Sequence, residues 1–443
     1  MNKALIGGIA GLLILGGAAA GGSRYADKQL TANVYSPELM QRSFGLSGFQ
    51  AQTDMGVFSG SAEWQGNLVF DPCRPEQKIT IRGNDTIRRS LSGYQVDSKI
   101  YFVTDSAEAN ELLFEGFHID VRRSISWGGK VKTEFTIPGR NIQKNGNVLN
   151  WQSISGQSSL HKENDELVPD SLQFSVPSVE IKSNLADITL KDLRYRNKHS
   201  FLGHGSVQTG GSETTVASIA VNSPGSGSVV LSGLKAASRQ TVNGQSVGWG
   251  SRFDIRNIDI TVLAPPTLVE GGTPSPARVV KHAIGDVRLN TDIAGLDSKA
   301  VQSVSDLIAQ QRRTCMPKEE LEARLEKIFL AVLNSGFNIK AAGQQVKFDG
   351  HLLAADAELT LPPAAYTDVR EIKSEALLGN MKYRADIRID KGLITACNRA
   401  VADWAGGGYD KADAKSQQVI EQLLALPGAR QEGNAIRLTF KQP

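Results

Sequence analysis

Residues 131–137 read Val-Lys-Thr-Glu-Phe-Thr-Ile, and the run ends at Pro138-Gly139. Apolar and polar side chains alternate along it, which is the pattern of a β-strand with one buried face. A strong hairpin signal, Asn145-Gly146, follows shortly after. We therefore predict a strand that turns back on an antiparallel neighbour.

The same pattern recurs through the middle of the chain, from about Gly45 to Asn290. Short alternating or β-branched runs are separated by turn residues, and sustained helical periodicity is scarce. Parallel strands need long, usually helical crossovers, so we predict an antiparallel sheet that is long and curved. The Pro/Gly-rich stretch 264–276 is a surface loop between two strands or an interdomain linker.

The last third mixes helices with strands. Asp297 is a candidate N-cap for a helix, and Pro317 begins a second one, with Cys315 in the turn between them. Further helices are predicted at 394–404 and 411–426. The sequence thus predicts an α+β, β-dominated protein, in which a long curved antiparallel sheet is joined to a C-terminal α+β unit that contains the helices.

The chain begins with an apolar segment, Ala4–Gly22, that carries no charge. As a helix it would measure about 28 Å, close to the thickness of the bilayer hydrocarbon core. It is a signal anchor or a signal peptide cut after Ala18-Ala19-Ala20, and we favour the anchor. We predict three parts: a transmembrane anchor (1–24), a β-rich envelope domain (25–293) and an α+β C-terminal domain (294–443).

Four glycines of this segment fall on one helix face, and they could let two membrane helices approach closely. They are Gly7, Gly11, Gly17 and Gly21. A homodimer through this face is one hypothesis, and the alternative is that Gly and Ala are simply common in membrane helices.

The charge balance argues against a nucleic-acid partner. Lys and Arg total 49 and Asp and Glu total 46, which gives a net charge of only +3. A nucleic-acid-binding protein normally shows a large basic excess. Nucleotide-binding and zinc motifs are missing from the sequence, so we expect no cofactor and no metal.

Three cysteines occur in the chain. Cys315 and Cys397 both fall within the C-terminal unit, and in an oxidising compartment we expect them to form a disulfide. The alternative is that both are unpaired, buried small residues. Cys73 would then be the odd thiol, and its role stays open.

One catalytic pattern appears. The pentapeptide Gly244-Gln245-Ser246-Val247-Gly248 matches G-x-S-x-G, which in hydrolases lies on a sharp strand-to-helix turn. Here it starts in an Asn-Gly hairpin turn and a strand follows. A serine hydrolase that uses Ser246 is therefore the weakest of our hypotheses.

The overall plan resembles the YdgA-like family of bacterial envelope proteins of unknown function. The likeness is spread over an N-terminal membrane helix, a strand-rich middle, a helical hairpin and a final helix and strand. Its matching segments are 25–30, 56–62, 188–195 and 346–352. The resemblance implies an inner-membrane anchor, a periplasmic body and self-association, and it carries over no catalytic residue.

We expect a single-pass inner-membrane protein whose body lies in the periplasm and has a non-enzymatic role. In one hypothesis the body is a structural or interaction module that binds an envelope protein. In another, the sheet has an apolar face that holds a lipid or other hydrophobic ligand. The hydrolase is the third.

Overall fold

The computed structural model describes residues 34–442 apart from 57–58, 164–165, 200–206, 208, 265–277, 373–376, 378 and 406–407. The protein is β-dominated, with 60% strand in a long open antiparallel sheet and a few C-terminal helices. The predicted sheet is therefore confirmed in outline. Its strands are β1 Leu46–Met55, β2 Ser59–Val69, β3 Lys78–Ser90, β4 Gly93–Val103, β5 Ile119–Ser126, β6 Val131–Ile137, β7 Arg140–Lys144, β8 Asn147–Trp151, β9 Ile154–Glu163, β10 Glu166–Lys182, β11 Asp187–Lys198, β12 Gly210–Ser223, β13 Gly227–Asn243, β14 Ser246–Ala264, β15 Arg278–Asp297, β16 Phe337–Phe348, β17 His351–Leu361, β18 Lys382–Asp390, β19 Ala429–Glu432 and β20 Ala435–Lys441.

Five helices of eight residues or more lie within the described ranges. They are α1 Pro37–Phe44, α2 Ser298–Arg313, α3 Lys318–Ser335, α4 Lys391–Ala405 and α5 Tyr409–Leu424. The Asp297 side chain caps α2 by accepting a hydrogen bond from the backbone of Ala300. The expected helical hairpin and the last two helices are thus present.

The strands form a meander in which most of them pair with their sequence neighbours. The hydrogen-bonded order runs from β1 to β6, continues with β9 and β10, and then proceeds in sequence to β18, β20 and β19. Strands β7 and β8 form a hairpin around the predicted Asn145-Gly146 turn, and β8 also pairs with β10. Strand β15 spans the expected domain boundary at 293/294 and pairs with both β14 and β16, so the sheet continues across it.

The largest hydrophobic core belongs to the N-terminal half. It gathers buried residues from α1, β1–β6, β9 and β10, and Ile81, Val96 and Val131 in it are fully buried. A smaller cluster near the C-terminus packs Ile420 of α5 against Ile436 and Leu438 of β20. The protein therefore has well-packed regions toward both ends of one continuous sheet.

Within the described part of the chain, no helix is long and apolar enough to cross a bilayer. The predicted membrane helix at 4–22 lies outside the described residues, together with its glycines Gly7, Gly11, Gly17 and Gly21. The anchor and the homodimer face therefore stay predictions.

The cysteine pairing expected from the sequence is wrong. Cys73 and Cys315 form the disulfide, with their Cα atoms 4.7 Å apart, and Cys397 is an exposed free thiol on α4. The loop between β2 and β3 brings Cys73 against the turn between α2 and α3, where Cys315 lies. A contact between residues separated by 242 positions depends on how the whole sheet is arranged, which sequence spacing does not reveal.

Candidate ligand-binding site

Six residues lie side by side across strands β10–β15, and the register continues on either side of them. They are Pro177, Asp192, Ala217, Gly233, Arg256 and Asp286. In alternate strands the backbone is left-handed here, with φ of 49° at Asp192, 68° at Gly233 and 47° at Asp286. Gly and Asp are residue types that tolerate this conformation best. We call this set the kink row.

The alternation of apolar residues shifts by one position at the kink row. In β11 the apolar residues before it are Ile188 and Leu190, and those after it are Leu193 and Tyr195. A regular strand would have placed the next apolar residue at position 192. The kink row therefore divides the apolar surface of these strands into two fields.

Two rows of aliphatic side chains cross the sheet on one side of the kink row. Because residues two apart in a strand share a face, the two rows lie on the same face of the sheet. We call them the apolar track. The first row is Ile181, Ile188, Val221, Val229 and Ile260, and the second is Val179, Leu190, Ile219, Leu231, Ile258 and Ile284.

The apolar track is incompletely covered. None of its aliphatic members is buried among the described residues, and Ile188, Val221 and Val229 are 38%, 36% and 41% exposed. On the other side of the kink row from the apolar track, by contrast, Val216 and Ile255 are buried. Contiguous exposed apolar surface of this kind is typical of binding sites.

The track ends at a polar cleft beside β15. His282 follows Ile260 in the first row, and Phe348 follows Ile284 in the second. The imidazole of His282 stacks on the Phe348 ring, with 5.4 Å between centroids, and meets Trp404 edge-on. These aromatic rings therefore join the apolar track to the cleft.

The cleft has a volume of about 600 Å³ and is lined by β15, α4 and neighbouring residues. Nδ1 of His282 lies 2.8 Å from Oδ2 of Asp349, and its Nε2 lies 3.7 Å from Oδ2 of Asp403. This Nε2 is buried and has no hydrogen-bond partner in the described part of the chain. Asp349 thus orients the buried imidazole through Nδ1, while Asp403 lies near the other ring nitrogen without a hydrogen bond to it.

Two arginines and one tyrosine complete the cleft. Arg278 donates to Oδ1 of Asp403 at 2.5 Å, and the hydroxyl of Tyr409 donates to the same oxygen at 2.8 Å. The guanidinium carbons of Arg278 and Arg399 lie 5.9 and 5.4 Å from the centre of the Tyr409 ring. The hydrogen bond to Asp403 raises the pKa of Tyr409, so its hydroxyl stays protonated near neutral pH.

The structure does not bring Ser246 into a catalytic arrangement. Ser246 is the first residue of β14 and pairs with Asn243 and Asp297 in neighbouring strands. The residues around it form a hairpin turn, in which Gly244 has φ of 61°, rather than a turn into a helix. The free Cys397, which the sequence suggested only as a disulfide partner, has a pKa raised by partial burial of its thiol and by Asp349, which disfavours its thiolate.

The cleft residues were missed by sequence reasoning. His282 lies 67 positions before Asp349 and Asp403 lies further still, so no local spacing connects them. The available signal was His282 itself, a titratable residue that replaces an aliphatic one in the alternating pattern of β15.

These features define a class of protein: a long antiparallel meander with an open apolar track that ends in a polar cleft. The chain belongs to DUF945, a bacterial protein family of unknown function, whose family model matches residues 1–262. The YdgA-like resemblance is compatible with this family and stays a prediction. Comparisons with curated proteins and with solved structures gave no match. The matched range contains most of the apolar track, whereas Arg278, His282 and Asp403 lie beyond it.

Proposed function

We propose that this protein is a membrane-tethered, non-enzymatic protein of the bacterial envelope that holds a lipid acyl chain against the apolar track. The observation that carries the proposal is a pair of aliphatic rows, five and six strands wide, that stay partly exposed. Burying one such side chain fully contributes about 1.5–3 kcal/mol relative to exposure. Covering the track with hydrocarbon is therefore favourable.

The dimensions of the track suit an acyl chain. Strands lie about 4.8 Å apart, so the five intervals from β10 to β15 span about 24 Å. One leaflet of a bilayer is about 15 Å of hydrocarbon. A single chain of membrane-lipid length can thus lie across the strands without leaving the aliphatic rows.

Two features support a place in the envelope. The apolar segment 4–22 is long enough for a membrane helix, and it would keep the sheet close to a bilayer. The Cys73–Cys315 disulfide is typical of proteins outside the cytoplasm, where thiols are not kept reduced. Both features agree with a periplasmic body.

The proposal is tested by photo-crosslinking in bacteria that make the full chain. A benzophenone side chain replaces Val229, which lies in the track, and lipid adducts are sought by mass spectrometry. The matched control carries the same group at Val230, the next residue, whose side chain lies on the opposite face of β13. We expect lipid adducts at Val229 at several times the level found at Val230.

Each outcome of this test has a definite meaning. Equal lipid labelling at the two positions would indicate non-specific contact with the membrane and would refute the proposal. Adducts of one protein at Val229, without lipid, would instead favour the structural or interaction role that the sequence also suggested.

A further inference from the structure

We propose that the cleft at the end of the apolar track binds the phosphate of a lipid headgroup, held by Arg278 and Arg399. The inference rests on the proposed function, because the lipid chain that carries the phosphate would lie along the track. It adds the class of headgroup and the residues that recognise it.

The two carboxylates that line the cleft are occupied by hydrogen bonds, although the Asp349 side chain is 31% exposed. Both oxygens of Asp349 are used, since Oδ2 lies 2.8 Å from His282 and Oδ1 accepts from the backbone of Ala283 at 2.8 Å. The Asp403 side chain is only 7% exposed and accepts from Arg278 and Tyr409. These negative charges therefore serve to hold other groups of the protein in place.

The cations face outward. The side chain of Arg278 is 48% exposed and that of Arg399 is 47% exposed. A guanidinium has five N–H donors. The bonds from Arg278 to Asp403 and from Arg399 to Asp413 leave donors on both groups for a further oxyanion. Guanidinium groups suit phosphate because their planar donor pairs match two of its oxygens.

Both guanidinium groups lie beside the ring of Tyr409. Each guanidinium carbon is within 6 Å of the ring centre, and both arginines line the same cleft, so an anion that enters the cleft meets two cationic side chains. The Tyr409 hydroxyl already donates its one proton to Asp403, so the two guanidinium groups are the donors of the site. Val280 and His282 occupy alternate positions of β15 in line with Ile284, so the cleft opens directly onto the track.

The test uses the full chain in detergent micelles and two probes that share their acyl chains. Dioctanoyl phosphatidic acid carries a phosphate, and dioctanoylglycerol lacks it. We expect the phosphatidic acid to bind about tenfold more tightly, as charge-assisted hydrogen bonds imply. The double variant Arg278→Gln with Arg399→Gln should abolish this difference and leave dioctanoylglycerol binding unchanged.

A matched control removes two arginines from exposed pairs elsewhere. Arg252→Gln with Arg437→Gln breaks the pairs with Asp254 and Asp386 and makes the same change in net charge. We expect it to keep the tenfold preference. Should the cleft double variant fail to fold, Arg399→Gln alone replaces it, because Arg399 pairs only with the half-exposed Asp413 among the described ion pairs.

The outcomes separate the inference from the function on which it rests. Equal binding of both lipids by the wild-type protein would overturn the phosphate site and leave the track intact. Failure of both lipids to bind would overturn the proposed function itself. Binding of inorganic phosphate as tightly as phosphatidic acid, with the same dependence on Arg278 and Arg399, would identify a site for free phosphate and refute the headgroup.

Discussion

Tyr35 belongs to a polar group buried inside the N-terminal core. Its hydroxyl donates to Oδ2 of Asp85 at 2.7 Å, and Nη2 of Arg123 lies 2.8 Å from the same oxygen. Nη2 of Arg123 also donates to Ser98. A buried carboxylate needs hydrogen bonds and an opposite charge to offset its desolvation, and Oδ2 of Asp85 receives both. Oδ1 of Asp85 and Nε of Arg123 are buried without a hydrogen-bond partner among the described residues.

This arrangement predicts a change of stability at high pH. Burial, and then the nearby Asp85, raise the pKa of Tyr35 well above its usual value of about 10. The folded protein therefore holds the phenol proton more tightly than the unfolded chain. The resulting stabilisation is complete below about pH 10 and is lost as the pH rises from there through the folded pKa.

Urea denaturation from pH 8 to pH 11 measures this effect against a Tyr35→Phe variant. At pH 8 the variant should be less stable by about 1–3 kcal/mol, because Asp85 loses one hydrogen bond. Above about pH 10 the difference should shrink, since only the wild-type protein has this phenol to ionise. A constant difference across the range would show that the pKa of Tyr35 is not raised.

At the scale of elements, the kink row makes a prediction of its own. Gly233 has φ of 68°, and a Cβ added there would lie 3.0 Å from Cβ of Arg256. Gly233→Ala should therefore lower the free energy of unfolding by about 1–2 kcal/mol from the left-handed conformation alone. The comparison is Gly128→Ala, where the nearest atom would be Oγ of Ser126 at 4.0 Å. Urea denaturation measures the free energy of unfolding of both variants. An equal loss of stability in the two would mean that the left-handed backbone at Gly233 does not require glycine.

The elements were largely predictable from sequence because their patterns are local. The alternation of apolar and polar residues at 131–137 predicted β6, and the helical spacing of apolar residues after Asp297 predicted α2. The kink row was missed because a shift of one position looks like an irregular strand when each strand is considered alone. It becomes visible only when the register aligns Asp192, Gly233 and Asp286.

At the scale of the molecule, one open sheet contains two parts that differ in how deeply their side chains are buried. Its N-terminal part contributes to a hydrophobic core that contains Val34 and Leu167. Strands β10–β15 carry the track with much less burial. Contacts at this scale were beyond sequence reasoning, because the neighbours of His282 and of Cys315 are decided by strand order and sheet curvature.

The Cys73–Cys315 bond connects the β2–β3 loop to the helical hairpin across the fold. A disulfide that closes so long a loop typically stabilises by about 2–5 kcal/mol, mainly by restricting the unfolded chain. We expect Cys73→Ser and Cys315→Ser to lower the urea midpoint equally, and the double variant to lose no more than either single one. Cys397→Ser should leave the midpoint unchanged, because Cys397 is free.

Peptide mapping without reductant provides the direct check of the disulfide, and a fragment joining Cys315 to Cys397 would contradict the observed pairing. The same mapping on protein retained in the cytoplasm should show both thiols reduced, which would link the full stability of the fold to an oxidising compartment.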